Sequence, residues 1–281
     1  MRQLVPERSR GTDLPIRAVE RRSLSGHSAL LEQCRRGRLV LVNDVPDEYT
    51  PSMPEGEIER ITRWHERAYE RLSSAQDDVV FSCLGLEISV PPGVFPPVDA
   101  DFLGDAVLTE TSADDRVLDL GTGSGINALL AARKTTSVVA VDINPAAVDA
   151  AECNADRNHL AGRISFAVSD LYDSVDGAFD LIVFNPPFRW FKPRDLVEAA
   201  STDENYTTLR RFMRETSEHL RPGGRLLVHF GTSGDLAYLR LLIESHGYIE
   251  DTVATHEVTQ DGHTVKYVVL RLTRRPRPAG G

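Results

Sequence analysis

The chain has 281 residues, 41% of them hydrophobic and 26% charged, with a net charge of -10 at pH 7. That length suits one core domain with a smaller appendage, and no apolar run reaches the roughly 18 to 20 residues needed to span a bilayer. The acidic balance disfavours nonspecific binding to nucleic acid, and the charged opening without an apolar stretch after it argues against a secretory signal, so a cytoplasmic address is expected.

Residues 1 to 38 carry nine arginines against four acids, and Arg271 to Arg277 carry four more arginines. Tails of this kind are ordinarily solvated, although they can reach RNA or an acidic protein. Ser28 to Arg35 reads as a short helix and Leu39 to Val42 as a short strand or helix end. Residues 44 to 56 hold Asp44, Pro46, Asp47, Pro51, Pro54 and Gly56, which makes them a linker. From Glu57 to Leu72 the apolar positions Ile58, Ile61, Trp64, Ala68 and Leu72 recur every three or four residues, the period of one helix face. Val79 to Val90 reads as two strands about Leu84-Gly85. The following Pro91 to Pro97 must be irregular, because proline fixes φ and removes donors. A helical period resumes from Asp101 to Thr109.

Beyond this point strands and helices alternate. Strands are expected at Val117–Leu120, Val138–Asp142, Ile164–Val168, Leu181–Phe184 and Arg225–Phe230. Helices are expected at Ile126–Arg133, Pro145–Asp156, Tyr206–His219 and Leu236–Ser245. Such alternation indicates an α/β fold with a parallel sheet covered on both faces. Thr255–Thr259 and Thr264–Leu272 flank Asp261-Gly262, a strong tight-turn signal, so the last strand should run antiparallel. The expected organisation is a tail and small helical region over 1–78, a hairpin and proline-rich loop covering the cofactor site over 79–104, the sheet domain over 105–273, and a flexible tail over 274–281.

Glycines 121, 123 and 125 stand at alternate positions between a strand and a helix, where a side chain would keep the backbone away from a ligand. The spacing is GxGxG rather than GxGxxG. Asp119, just before it, would repel a pyrophosphate and suits a ligand carrying a cationic amino group. Asp142 ends the next strand, where a carboxylate can accept both hydroxyls of a ribose. Asn144 with Pro145 behind it reads as a helix cap. Asp170 closes a further strand at the same sheet edge and can accept from an adenine amine. Asn185-Pro-Pro-Phe follows the strand ending at Phe184. The prolines stiffen a turn whose carbonyls lack ladder partners, so the Asn185 amide oxygen and the Pro186 carbonyl can accept both hydrogens of a substrate NH2 while Phe188 stacks on its flat group. No strong base is required.

Taken together these residues resemble the class I S-adenosylmethionine-dependent methyltransferases, in the branch of the release-factor glutamine methyltransferases and the small-domain ribosomal RNA guanine methyltransferases. The resemblance covers about residues 79 to 272. It implies a Rossmann-like seven-stranded sheet with an antiparallel last strand, and S-adenosyl-L-methionine as cofactor. It also implies that Gly121, Gly123 and Gly125 hold the methionine moiety, Asp142 the ribose and Asp170 the adenine side. Asn185, Pro186, Pro187 and Phe188 then form the catalytic corner. Asp119, Thr122, Ile143, Leu171 and Asn185 complete the cofactor set. Pro92 to Asp101 is similar to the loop of the glutamine-modifying members, but Pro97 stands in place of its arginine, and Ala100 and Asp101 in place of its threonine and glutamate. Phe95, Pro97, Arg189 and Trp190 are the expected substrate contacts. Trp190 and Phe191 can equally cover the core.

The expected acceptor is a protein glutamine or a small molecule, with the exocyclic amine of an RNA guanine as the alternative and a non-catalytic cofactor-binding module as the contrasting class. No membrane partner is expected. Cys34, Cys83 and Cys153 are odd in number and far apart, and none of the eight histidines has metal-ligand spacing, so neither disulfides nor a metal is expected. The absence of a Gly-x-Ser-x-Gly elbow and of a phosphate loop argues against hydrolase and kinase chemistry.

Overall fold

A computed structural model describes residue 45, residues 49–260 and residues 263–276. The expected helix at 28–35, the expected strand at 39–42, both tails and the Asp261-Gly262 turn lie outside the described residues. Helix α1 (Glu55–Ser73) starts after Pro54 and buries Ile61 and Trp64 of the face its periodicity marked, together with His65 beside it, while Ile58, Ala68 and Leu72 are half-buried. Strands β1 (Val79–Cys83) and β2 (Leu86–Val90) form an antiparallel hairpin. Leu84 and Gly85 both take positive φ, 46° and 81°, the twist that a two-residue hairpin turn requires.

The rest of the chain builds one seven-stranded sheet. In chain order it runs α2 (Ala100–Glu110), β3 (Val117–Leu120), α3 (Ile126–Ala132), β4 (Val138–Asp142), α4 (Pro145–Arg157), β5 (Ile164–Val168), β6 (Phe179–Phe184), a short α5 (Leu196–Ala199), α6 (Thr207–His219), β7 (Leu220–Gly231), α7 (Leu236–Ser245), β8 (Tyr248–Gln260) and β9 (His263–Arg274). The strand order is β5-β4-β3-β6-β7-β9-β8. All pairs from β5 to β7 are parallel, and β9 lies antiparallel to both β7 and β8. The expected class and the reversed last strand are therefore observed. β8 begins at Tyr248 rather than 255, because Tyr248 to Ala254 pair with the second half of β9, Val269 to Arg274, although they alternate poorly.

Side chains alternate between the two sheet faces, as a pleat demands. Leu118, Leu120, Ile182 and Phe184 join Phe212 and Met213 of α6 and Leu239 and Leu242 of α7 on one face. Val117, Leu181 and Val183 join Val107 of α2, Leu129 and Leu130 of α3 and Ala147 and Ala150 of α4 on the other, together with Ile88 and Val90 of the hairpin. The hairpin is thus continuous with the sheet domain. Residue 104, expected to end a separate covering segment, sits inside α2, where a Cβ on Gly104 would meet Leu130 Cδ1 at 2.6 Å. No helix among the described residues is long and apolar enough to cross a membrane.

Candidate active site

The order sets β3 beside β6, with the chain leaving β3 toward β4 on one side and leaving β6 toward β7 on the other, so it turns away in opposite directions from the carboxyl ends of these two neighbours. In open α/β sheets a ligand crevice forms at such a reversal. A cavity of about 490 Å³ occupies it, lined by the loops after β3, β4, β5 and β6 and by Val94 to Ala100.

The glycine turn forms the floor. Thr122 N donates to Val141 O at 2.9 Å and Gly125 N to Thr122 O at 2.9 Å, which curls the chain off β3 into α3. Asp119, 1% exposed, lies beneath: its Oδ2 accepts from Thr122 Oγ1 at 2.7 Å and from Ala128 N at 3.1 Å. Its Oδ1 is buried without a hydrogen-bond partner. Burial, with a small contribution from the Asp142 charge, pushes the Asp119 carboxyl up to about 7 against the pull of its donors. The three glycines divide their work. Gly123 has φ 56° and nothing within 4 Å of where a Cβ would stand, and Gly121 meets only Phe184, at 3.6 Å. Both line the crevice, as does Thr122. Gly125 does not line it; a Cβ there would strike Leu129 at 2.8 Å and Ala151 at 2.9 Å, so this glycine lets α3 pack against α4.

Asp142 stands at the mouth of β4. Its Oδ2 accepts from Gly123 N at 2.8 Å and its Oδ1 from Asn144 N at 2.9 Å, an arrangement that aims both oxygens along one edge of the crevice. Burial raises its pKa and the backbone donors oppose the rise. Asn144 caps α4 through Ala146 N with Pro145 following, as expected, and its Nδ2 holds the proline-rich loop by Gly93 O at 2.9 Å. Ile143, an apolar side chain left 48% exposed, overhangs the crevice. Asp170 and Leu171 line the far side. Asp170 is held at 3.1 Å by Arg211, and Leu171 takes φ 50° with its carbonyl bonded to Ser169 Oγ. Phe95 and Pro97 complete the rim.

Asn185 and Pro187 line the crevice, whereas Pro186 and Phe188 lie behind them. The Pro186 carbonyl has no donor among the described residues. Phe188 packs on Phe230 at 5.3 Å, and its carbonyl accepts from Tyr206 Oη at 2.7 Å, which in turn accepts from Asp235 N at 2.7 Å. A Cβ on Gly234 would collide with the Phe188 carbonyl, so the corner is locked from both sides. Trp190 packs on Tyr49 and Phe191 and joins the core rather than the crevice. Arg189 also lies outside it, facing a second cavity.

Among the crevice residues to which the sequence assigned no role, a histidine meets the catalytic corner directly. His229, on β7, lines the crevice and places Nδ1 2.8 Å from Asn185 Oδ1. Burial drives its pKa down to about 4, so the ring is neutral and Nδ1–H donates to the amide oxygen. The signal was a polar residue inside the apolar run Leu226 to Phe230; Phe184 pairs with Val228, which puts residues 185 and 229 side by side. Among the described residues no group of three or more His, Cys, Asp or Glu is placed to hold a metal ion.

The model of the methyltransferase small domain matches residues 85–270, which include every element from the hairpin turn to the last strand. The chain belongs to this family. The methyltransferase is 33% identical over 147 residues to a putative protein N5-glutamine methyltransferase of Methanocaldococcus jannaschii, covering 50% of this chain and 73% of that one. It is 34% identical over 167 residues to the release factor glutamine methyltransferase of Koribacter versatilis, covering 53% and 59% respectively. Among solved structures, the 16S rRNA N2 G1207 methyltransferase of T. thermophilus, in complex with AdoMet and guanosine, shares 26% identity with a TM-score of 0.50 over 70% of this chain and 50% of that one. The chain thus spans between half and three quarters of the length of these three proteins. It is an S-adenosylmethionine-dependent methyltransferase with a Rossmann-like sheet.

Proposed function

We propose that this methyltransferase moves the methyl group of S-adenosylmethionine to a planar nitrogen, the acceptor being the amide of a protein glutamine or of a small molecule. The crevice fits the donor by its own chemistry. Gly121 and Gly123 leave open space where side chains would intrude, Asp142 presents two backbone-anchored oxygens for a diol, and Asp119, buried beneath the glycine turn and outside the crevice lining, favours an ammonium group through its charge rather than by contact. Ile143 and Leu171 offer apolar faces for a flat ring, with Asp170 at its edge. When bound, the donor supplies an electrophilic methyl on a sulfonium.

The observation that carries the reading is Asn185, set in the same crevice as the glycine turn and Asp142 and held there by His229. The neutral ring occupies one lone pair of Oδ1, leaving the second for a substrate N–H. Held in this way, that oxygen orients the acceptor nitrogen toward the donor, and this positioning needs no strong base. Asn185→Ala should lower kcat at least about 100-fold while cofactor affinity stays within about tenfold. Asp142→Ala should instead weaken the cofactor by ~1.5 to 3 kcal/mol for the lost charge-assisted hydrogen bonds. Calorimetry with the cofactor, alongside an assay for S-adenosylhomocysteine on release-factor fractions, checks both. Swapped effects would overturn the assignment.

A second reading, methylation of a guanine amine in RNA, is favoured by the 26% identity to the rRNA enzyme of T. thermophilus. The same assay on ribosomal RNA separates the two.

A further inference from the structure

Arg189 follows the catalytic corner directly and is 6% exposed, yet no carboxylate pairs with it among the described residues. Its one side-chain hydrogen bond among those residues is from Nη1 to His65 Nδ1, at 3.1 Å, and its Nε is buried without a partner. Burial lowers its pKa to about 10, which still leaves it charged at neutral pH.

The neighbours do not neutralise it. His65 has its pKa lowered, chiefly by burial, so it is neutral, accepting from Arg189 at Nδ1 and giving its Nε2 proton to Glu198 at 2.8 Å. Burial alone would raise the Glu198 carboxyl, but Arg194 and His65 outweigh it and hold it at about 2. That carboxylate is spent on others: Arg194 donates to it from Nη2 at 2.6 Å, from Nε at 2.9 Å and from its backbone N at 2.6 Å. What Arg189 has instead is aromatic. Its guanidinium lies 4.4 Å from the centre of the Trp64 ring and 5.7 Å from that of Phe188.

Arg189 and Trp64 line a second cavity of about 140 Å³, with Tyr69, Phe95 and Val98 among its walls and also Glu198, whose carboxylate is turned to Arg194 and His65. Phe95 and Val98 also line the main crevice, so one loop separates the two spaces. At roughly 30 Å³ per water the cavity takes a small head group rather than a length of polymer. A buried cation that reaches a carboxylate only through a neutral imidazole is costly, and a planar fork of donors matches a carboxylate or a phosphate.

We propose that Arg189 and Trp64 form an anion subsite for the methyl acceptor, which therefore carries a carboxylate or phosphate group on a small, flat body. The inference rests on the methyl-transfer reading only for the word acceptor. Anion binding itself is measured apart from turnover.

The full chain is titrated by calorimetry with sodium benzoate, phenyl phosphate and the neutral benzyl alcohol, at saturating S-adenosylhomocysteine. Benzoate or phenyl phosphate should bind at least tenfold tighter than benzyl alcohol, and the tighter of the two names the anion. Arg189→Gln should remove that preference while S-adenosylhomocysteine affinity stays within about threefold. Equal binding of all three by the unaltered protein would overturn the subsite whether or not the variant folds, and so would a variant that keeps the preference. Loss of S-adenosylhomocysteine binding in the unaltered protein would instead count against the methyl-transfer reading.

Discussion

Asn185 depends on a residue 44 positions away. Its Oδ1 receives the Nδ1–H of His229, a ring that also stacks on Tyr267 with centroids 5.3 Å apart and planes 16° apart, so the imidazole is held on its face as well as at its edge. We read His229 as a positioning residue: it decides where the second lone pair of Asn185 points. His229→Phe keeps the ring and the packing but removes the donor, and should lower kcat about tenfold to a hundredfold with cofactor affinity unchanged. Because the ring gains a proton only near pH 4, its titration should leave kcat flat from pH 5 to 8. A histidine whose pKa is depressed on folding favours the native state above its ordinary value, and loses that contribution as pH falls from about 6.5 to about 4. His229→Gln, which restores an N–H donor, should recover part of the rate. A merely structural role would show instead as a loss of thermal stability with no selective effect on kcat.

At the scale of elements, the hairpin β1–β2 is stapled to α4 by two asparagines: Asn158 accepts from Glu87 N at 2.9 Å and donates to Glu87 O at 2.8 Å, and Asn154 makes the deeper clamp. Asn154 of α4, fully buried, accepts from Ser89 N at 2.9 Å and donates to Ser89 O at 2.8 Å and to Ser124 O at 3.0 Å, linking β2, α4 and the glycine turn. Asn154→Ala would strand three buried backbone groups. At ~1 to 3 kcal/mol for each group left unsatisfied, tempered by water entry, a loss of about 3 kcal/mol is expected in urea unfolding. The elements themselves were legible. Val138–Asp142 and Leu236–Ser245 have the bounds that periodicity drew, and the Leu84-Gly85 and Asn144-Pro145 signals mark a turn and a cap because their stereochemistry is local. The four-residue helix α5 was missed, being too short to show a period. The role of Asn154 was equally hidden, since an asparagine on a helix face carries no sign of the strand it will meet.

For the whole molecule, folding and cofactor binding meet at Asp119. Its carboxyl is held at about 7 in the native chain and near 3.8 as an ordinary side chain, so between those values the native state holds the extra proton. Its contribution to stability therefore falls as pH rises through that window and levels off above it. A cationic amino group in the crevice favours its ionised form. Cofactor affinity should accordingly rise with pH to about 7 and then flatten, and calorimetry in buffers of different ionisation enthalpy should record proton release on binding. An affinity independent of pH from 5.5 to 8 would remove Asp119 from the cofactor set. The sequence alone determined the succession of strands and helices, the reversed last strand, the glycine turn and the stiff asparagine corner. These follow from side-chain periodicity and from the stereochemistry of glycine and proline, which act within a few residues. Only the tertiary structure decided that His229 meets Asn185, that Gly125 serves packing while Gly121 and Gly123 face the crevice, and that Arg189 reaches a carboxylate only through a neutral imidazole. Those facts depend on β6 lying between β3 and β7 and on α1 folding back over the corner, contacts between distant segments that no local pattern encodes.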